Sequence, residues 1–366
     1  MRTIGRWIRI GRARPSAPRS VAEPRPSAPG RVVVAAVDAG SISVHLLVAA
    51  VEDHDLEPLA DESVFLRLGA RVDAVGHLGA TARDELVDAL AGYAAAARAL
   101  GATTVVFLGA EPLRRAADAT RAVAEVEAST GIALHVISHE EEARLTLLGV
   151  TRGRRLLREV VIVDVGGGST EIMIAGPSGE ARAEGLGTGA GRLTAAIVEH
   201  DPPTRGELGA LHAAAATRVA ALRALAPRPD AGRAAPPGRP GGAGGAGRAP
   251  AVARELVAVG GTASNLAKLL PDAMGDRVLT PARLAEAIAT LLSEPSAAAA
   301  ARHGLNPIRA RTLPAGAAIL EAVLATSGAE AIRVSDDGMR EGAVIAAARV
   351  PRSWRDRLPR LVAGWD

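Results

Sequence analysis

Residues 161–175 read VIVDVGGGSTEIMIA. An apolar run reaches Asp164, breaks into Gly166, Gly167 and Gly168, and passes through Ser169, Thr170 and Glu171 into a second apolar run. The flanks read as the two buried strands of a hairpin. Three successive glycines lose backbone entropy on folding and pack nothing. Two readings explain them. One is a tight turn that needs positive φ. The other is a loop whose backbone N–H groups approach an anion such as phosphate.

The pattern recurs. Residues 32–49, VVVAAVDAGSISVHLLVA, form a strand, a loop and a strand, with Asp38, Gly40, Ser41 and Ser43 at the junction. Residues 256–270, LVAVGGTASNLAKLL, run from a short strand through Gly261 and Thr262 into a helix. A helix N-terminus favours an anion through its free N–H groups and its dipole. Three loops built from Gly, Ser and Thr point to one phosphate-bearing ligand held from several sides.

Around these loops the chain alternates. Strands are expected at 32–38, 44–51 and 62–69, a helix at 81–100, a strand at 103–108, a helix at 112–129, a strand at 132–137 and a helix at 139–150. The order then restarts, with strands at 159–165, 171–176 and 181–187 and helices at 190–199 and 204–225. A strand at 254–259, helices at 262–270, 280–292 and 308–326, a strand at 330–334 and a helix at 339–348 complete it. Alternation of this kind makes an α/β fold. The expected division is a disordered basic segment over 1–30, a first domain over 31–155, a second over 156–350, and a tail over 351–366. Residues 226–250 are too rich in Pro and Gly for a helix or strand and read as a flexible insertion. Two halves that open alike place a ligand in the cleft between them.

Composition narrows the function. The 366 residues are 48% hydrophobic, enough for two domains with cores of their own. The absence of cysteine excludes disulfides, thiolate metal sites and a cysteine nucleophile, and fits a reducing compartment such as the cytoplasm. Lys268 is the only lysine. Aromatic residues are 2%, too few for base-stacking platforms, so nucleic acid is not an expected partner. The net charge of +3 is uneven: residues 1–30 carry seven Arg against one Glu, and 227–250 carry four Arg against one Asp. The rest of the chain is therefore acidic. No stretch reaches the roughly 18 to 20 apolar residues of a membrane span. Trp7, Ile8 and Ile10 lie in a basic N-terminus without the continuous apolar run of a secretory signal.

Asp38, Asp164 and Glu171 end or begin the strands at these loops. Carboxylates beside phosphate oxygens are the hard ligands that Mg²⁺ takes, with water and phosphate completing its shell. Residues 137–150, ISHEEEARLTLLGV, place three glutamates at a helix start, with Ser138 as the cap and Glu141 at capping-box spacing. Successive residues diverge around a helix, so one or two of Glu140, Glu141 and Glu142 face a cleft, where one aligns a water as general base. His45 and His139 are expected to be structural, and no HxH or HExxH spacing marks a zinc site. There is no GxxxxGK[ST] and no GxSxG. Arg114, Arg115, Arg192 and Arg340 lie near turns, where arginine clamps phosphate.

Taken together, VDAGSIS, ISHEEEAR, VDVGGGSTE, TGAGRLT, VGGTASNLA and VSDDGMREG resemble, in order, the motifs of the Ppx/GppA phosphatases, a family of exopolyphosphatases and guanosine pentaphosphate phosphohydrolases. The resemblance covers roughly 31–349. It implies two ribonuclease-H-like domains of the actin-like ATPase superfamily with an interdomain cleft. It also implies Mg²⁺-assisted attack of water on a terminal phosphoanhydride of polyphosphate or guanosine pentaphosphate. By motif, Glu142 falls on the general base, and Asp164 and Glu171 on the metal and water-positioning acids. The Asp38–Ser43 and Gly166–Ser169 loops fall on the phosphate cradle. The chain departs from the family at Ile42, where asparagine is usual, at His139, where glycine is usual, and at His45, which replaces a frequent arginine. It also stops without the C-terminal helical domain of the longer exopolyphosphatases. An actin-like kinase would need an acceptor-binding insertion and an adenosine pocket, for which the sequence carries no signal. A non-catalytic sensor of polyphosphate or guanosine phosphates is the other alternative. A homodimer is the default expectation for such a chain.

Overall fold

The computed structural model describes residues 31–177, 181–222, 225 and 254–363. The basic segment 1–30 and the insertion 226–250 lie outside the described residues. The first sheet is built from β1 (Val32–Ala39), β2 (Val44–Glu52), β3 (Asp55–Val64), β4 (Thr104–Gly109) and β5 (Leu134–Val136), in the order β3-β2-β1-β4-β5. Between them run α1 (Leu68–Val75), α2 (Ala80–Ala99), α3 (Glu111–Arg115) and α4 (Ala119–Thr130). Helix α5 (His139–Thr151) then leads into a second sheet. That sheet contains β6 (Val160–Val165), β7 (Thr170–Ala175), β8 (Ala181–Leu186), β9 (Glu255–Val259), β10 (Val278–Leu279) and β11 (Ile332–Val334), in the order β10-β11-β9-β6-β7-β8. Its helices are α6 (Ala190–Ile197), α7 (Arg205–Ala220), α8 (Gly260–Lys268), α9 (Pro271–Asp276), α10 (Pro281–Leu292), α11 (Ser296–His303) and α12 (Pro307–Ser327). Helices α13 (Met339–Arg349) and α14 (Trp354–Val362) follow.

Both sheets open with an antiparallel meander and continue with a strand parallel to the first: β4 beside β1, and β9 beside β6. The expected repeat is thus present as a repeat of topology, and the fold is the two-lobed α/β class. The hairpins correspond closely. Each closes on four loop residues, with Gly40 N donating to Ser43 O at 3.1 Å and Gly166 N to Ser169 O at 3.0 Å. Asp38 pairs with His45 across β1 and β2, as Asp164 pairs with Glu171 across β6 and β7.

Several elements differ from the sequence reading. The third strand occupies 55–64 rather than 62–69, and residues 68–75 are helical. Strand β3 carries Asp55, Glu57, Asp61, Glu62 and Pro58, and it is a mostly exposed edge. Its polarity protects that edge from pairing with other chains and hides it from a search for apolar runs. The helix expected at 112–129 is two helices. Asp118 lies at the break, accepting from Leu78 N at 2.8 Å, Gly79 N at 3.0 Å and Arg83 Nη1 at 2.6 Å. The segment 351–366, read as a tail, contains α14, which buries Trp354, Leu358 and Leu361.

Helix α5 holds the lobes together. Leu145 and Leu148 pack into the core of the first sheet with Val34, Leu47 and residues of α13. Ala143 and Leu147 pack into the core of the second, with Ile162, Met173 and Val257. Residues three and four apart share a helix face, so the two pairs divide the helix between two sheets. Its start is fixed by the expected capping box of Ser138 and Glu141. Helices α5 and α13 cross with backbone against backbone. A Cβ on Gly342 would overlap the Leu145 carbonyl, and one on Gly149 would overlap the Gly338 carbonyl.

Neither clash can be relieved by rotating a side chain. Gly342→Ala is therefore expected to lower stability by about 3 kcal/mol, read as a fall in the urea midpoint at unchanged m. An unchanged midpoint would mean that the two helices part without cost.

Candidate functional site

The two hairpin loops meet in the cleft. The Ile42 side chain lies over Gly167, and Ser41 lies against Gly168, each where a Cβ on that glycine would stand. Behind Gly166 and Gly167 the start of α6 docks, with Ala190 N donating to Gly166 O at 2.8 Å and Arg192 N to Gly167 O at 3.0 Å. None of Gly40, Gly166, Gly167 and Gly168 has positive φ. Of the two readings of the triple glycine, the tight turn with positive φ is therefore excluded. Close approach on both sides is what requires glycine here. Ile42 also keeps negative φ, so its β-branching meets no backbone strain. Helix α1, absent from the sequence reading, buttresses the first loop: Gly69 N donates to Ser41 O and Arg67 N to Ile42 O, both at 2.9 Å.

Asp38, Glu142, Asp164 and Glu171 gather around these loops. Glu142 lies on the first turn of α5 and Glu171 at the start of β7, both buried. Arg114 bridges them. Its Nη1 donates to Glu142 Oε2 at 2.6 Å and to the Ile137 carbonyl at 3.0 Å, and its Nη2 lies 3.5 Å from Glu171 Oε1. His139 Nδ1 lies 2.8 Å from Glu171 Oε1. Asp164 stands across the hairpin from Glu171, against Gly260 at the N-terminus of α8. Asp38 comes from the other lobe, and its Oδ1 is buried without a hydrogen-bond partner among the described residues.

Cations are too few to balance these acids. Loss of hydration, then repulsion from Glu171, pushes Glu142 up to about 8 against the pull of Arg114. Loss of hydration, then Asp164, pushes Glu171 up to about 8, opposed by the Ser169 hydroxyl. Asp38 rises to about 7 and Asp164 to about 6, each chiefly through desolvation. His45 is driven down to about 3 by burial and by Arg340 and Arg309, so it is neutral.

The expected site residues are thus placed as follows. Arg114, Glu142 and Glu171 are in direct contact, and Asp164 and Asp38 face the same space. The Ser41 hydroxyl donates to Glu111 Oε2 at 2.9 Å, and the Ser43 hydroxyl lies 2.6 Å from His45 Nε2. The Thr262 hydroxyl is turned inward and donates to the Val165 carbonyl at 2.6 Å. Gly261 gives room to the Arg309 guanidinium. Of the two acids expected to hold metal, Glu171 belongs to a convergent group in which one donor atom from each of His139, Glu142 and Glu171 lies within 4.8 Å of the others, and Asp164 does not.

Two residues escaped the sequence reading. Arg309 reaches from α12 to the first lobe, its Nη2 3.0 Å from both Ser43 Oγ and His45 Nε2. Nothing in RARTLPAG separates it from the chain's many other arginines. Glu111 is buried between the loops and bonded to Ser41, Arg115 and Arg192. Arg192 also reaches Asp73 at 3.1 Å, so it ties the second lobe to the first. A surplus of buried carboxylate oxygens facing two N–H-rich loops is an environment for a hard divalent cation beside phosphate. Among the described residues no helix is long and apolar enough to cross a membrane.

A two-lobed α/β protein with an acid-lined interlobe cleft is the class defined by this fold and site. The chain belongs to the Ppx/GppA phosphatase family, whose sequence profile matches residues 47–349. It is 30% identical over 324 residues to Exopolyphosphatase 1 of Mycobacterium tuberculosis, covering 84% of this chain and 86% of that protein. It is 34% identical over 149 residues to the guanosine-5'-triphosphate,3'-diphosphate pyrophosphatase of Vibrio cholerae, covering 41% of this chain and 30% of that one. Among solved structures, the Ppx/GppA family member of Aquifex aeolicus superposes with a TM-score of 0.68 at 25% identity, over 88% of this chain and 99% of that one. An exopolyphosphatase of Cytophaga hutchinsonii shares the fold with a TM-score of 0.71 at 19% identity, over 87% and 98%.

The raised acids have a thermodynamic consequence. The folded protein holds protons that the unfolded chain has released, so stability falls as pH rises through the folded values. His45 acts oppositely only below its unfolded value of 6.5. With a chelator, the melting temperature is expected to fall between about pH 6.5 and about pH 8.5, and a divalent salt is expected to flatten that slope by replacing protons. A melting temperature independent of pH in chelator would mean that these acids are already compensated.

Proposed function

We propose that this protein is a phosphoanhydride hydrolase that releases terminal phosphate from inorganic polyphosphate by attack of water, and that it converts guanosine pentaphosphate to tetraphosphate at the same site. The observation that carries the reading is Arg114 holding Glu142 beside Glu171 at the mouth of two glycine loops. Relatives named as exopolyphosphatases and as a guanosine pentaphosphate pyrophosphatase support the same chemistry.

In this reading Glu142 is the general base. Burial keeps its basicity high and Arg114 fixes its direction, two conditions for accepting a proton from water at neutral pH. The backbone N–H groups of the Gly40–Ser43 and Gly166–Ser169 loops meet the phosphate oxygens. Arg114, Arg309 and Arg340 meet negative charge that develops on the leaving phosphate. Asp164 and Glu171 would hold a divalent cation such as Mg²⁺, whose oxygen preference their carboxylates fit, and the ion would neutralise phosphate charge and lower the basicity of the surrounding acids. The activity belongs in the cytoplasm.

The test is phosphate release from long and short polyphosphate, guanosine pentaphosphate and ATP. Glu142→Gln is expected to lower kcat by roughly 100- to 10,000-fold, with substrate binding retained, and a chelator is expected to abolish release. Binding of polyphosphate without release from any substrate would overturn the reading in favour of a non-catalytic binding protein of the same fold.

A further inference from the structure

His139 opens α5, and its ring rests on β8 in the space a Cβ on Gly185 would fill. Its Nδ1 atom has two close neighbours, Glu171 Oε1 at 2.8 Å and Arg114 Nη2 at 3.1 Å. A guanidinium only donates. At Glu171 the ring nitrogen either donates a proton to the carboxylate or accepts one from the carboxyl, so one proton is shared across the 2.8 Å contact. A cation that binds both atoms would take the place of that proton.

The arrangement suits a metal ion. One donor atom from each of His139, Glu142 and Glu171 lies within 4.8 Å of the others, and Nδ1 is the ring nitrogen beside Glu171. Atoms bound to one small divalent ion at about 2.0 to 2.2 Å lie within about 4.4 Å of each other. The Nδ1–Glu171 pair already lies inside that limit, at 2.8 Å. Arg114 can give up its contact with Nδ1 cheaply, because Nη1 anchors it separately to Glu142 and to the Ile137 carbonyl.

We propose that His139 Nδ1 is a direct ligand, with Glu171, of the divalent cation in the cleft, which makes the site a mixed nitrogen and oxygen site selective for Mn²⁺ or Co²⁺ over Mg²⁺. The proposal rests on the reading of the cleft as a metal-assisted hydrolase and deepens it. Imidazole suits first-row transition ions, whereas Mg²⁺ prefers oxygen and keeps its waters. The position therefore decides which ion supports the reaction. Glu142, held by Arg114, keeps its role as base.

The test is electron spin-echo modulation of Mn²⁺ bound to the full chain without substrate, in wild type, His139→Ala and His139→Asn. Wild type is expected to show nitrogen modulation that His139→Ala lacks, with the ratio of Mn²⁺ to Mg²⁺ affinity falling about tenfold in the variant. His139→Asn keeps a polar side chain at the helix start and guards against loss of fold as the cause. Bound Mn²⁺ without nitrogen modulation in wild type would overturn the proposal and leave the hydrolase reading standing, provided Glu142→Gln still lowers release. Nitrogen modulation in a wild type that cleaves no phosphoanhydride would support the ligand and sink the hydrolase reading. No Mn²⁺ binding at all would overturn the proposal.

Discussion

Helix α5 can touch both sheets only because Gly149 and Gly342 let its backbone meet that of α13. This contact sets the distance between the lobes, and it also sets the site. Glu142 and His139 stand on the first turn of α5, while Arg340 and Glu341 stand on the first turn of α13. The two helices run in opposite senses where they touch, with Gly338 at the start of α13 against Gly149 near the end of α5, while the charges of Arg340 and Glu341 still act on Asp38 and Asp164 in the cleft. A crossing wider by the thickness of a methyl group would move the base relative to the hairpin loops of both lobes. The Arg152–Asp337 ion pair at 2.8 Å joins the end of α5 to the residue before the cap of α13.

The cleft itself is poorly compensated. Asp38, Glu142, Asp164 and Glu171 are all driven towards the protonated form, mainly by burial. Arginines at 114, 309 and 340 are present, yet each is already engaged with a carbonyl, a hydroxyl, a ring nitrogen or another acid. Such a site is costly to build and is kept where function requires perturbed groups. The two hairpins share the cost unevenly. At the position where the second lobe carries Glu171, the first carries neutral His45. The topological repeat is therefore not a chemical one: the second hairpin supplies two acids, Asp164 and Glu171, and the first supplies one, Asp38, with hydroxyls and backbone.

Much of this was legible in the sequence. The apolar runs around 161–175 and 32–49 are buried on both faces, and such runs announce themselves. Ser138 and Glu141 form the capping box their spacing implies. The elements that escaped are those whose structure is imposed by partners. Strand β3 is polar because it is an edge. Asp118 splits a continuous helical pattern because amides of another segment capture it. Helix α14 carries few apolar residues, but they share one face. The glycines of 166–168 read correctly as special and ambiguously as to why, because φ and close approach leave the same letter in the sequence. Arg309 and Glu111 carry no local signature, since what distinguishes them is distance in space from residues far off in the chain. Sequence pattern alone makes His139 structural, and its position beside Glu171 emerges only where α5 packs on β7 and β8.

The packing of α13 and α14 has a consequence for synthesis. One face of the first sheet, with Val34, Leu47 and Val106, is covered by Ala343, Ile345, Trp354 and Leu361, which are made some three hundred residues later. A nascent chain that has completed β1 to β5 therefore leaves the ribosome with that apolar face bare, while the second lobe has most of its own core within one stretch of chain. Exposed apolar sheet is the surface on which unfinished chains associate. The lobe that begins the protein is thus the last to close.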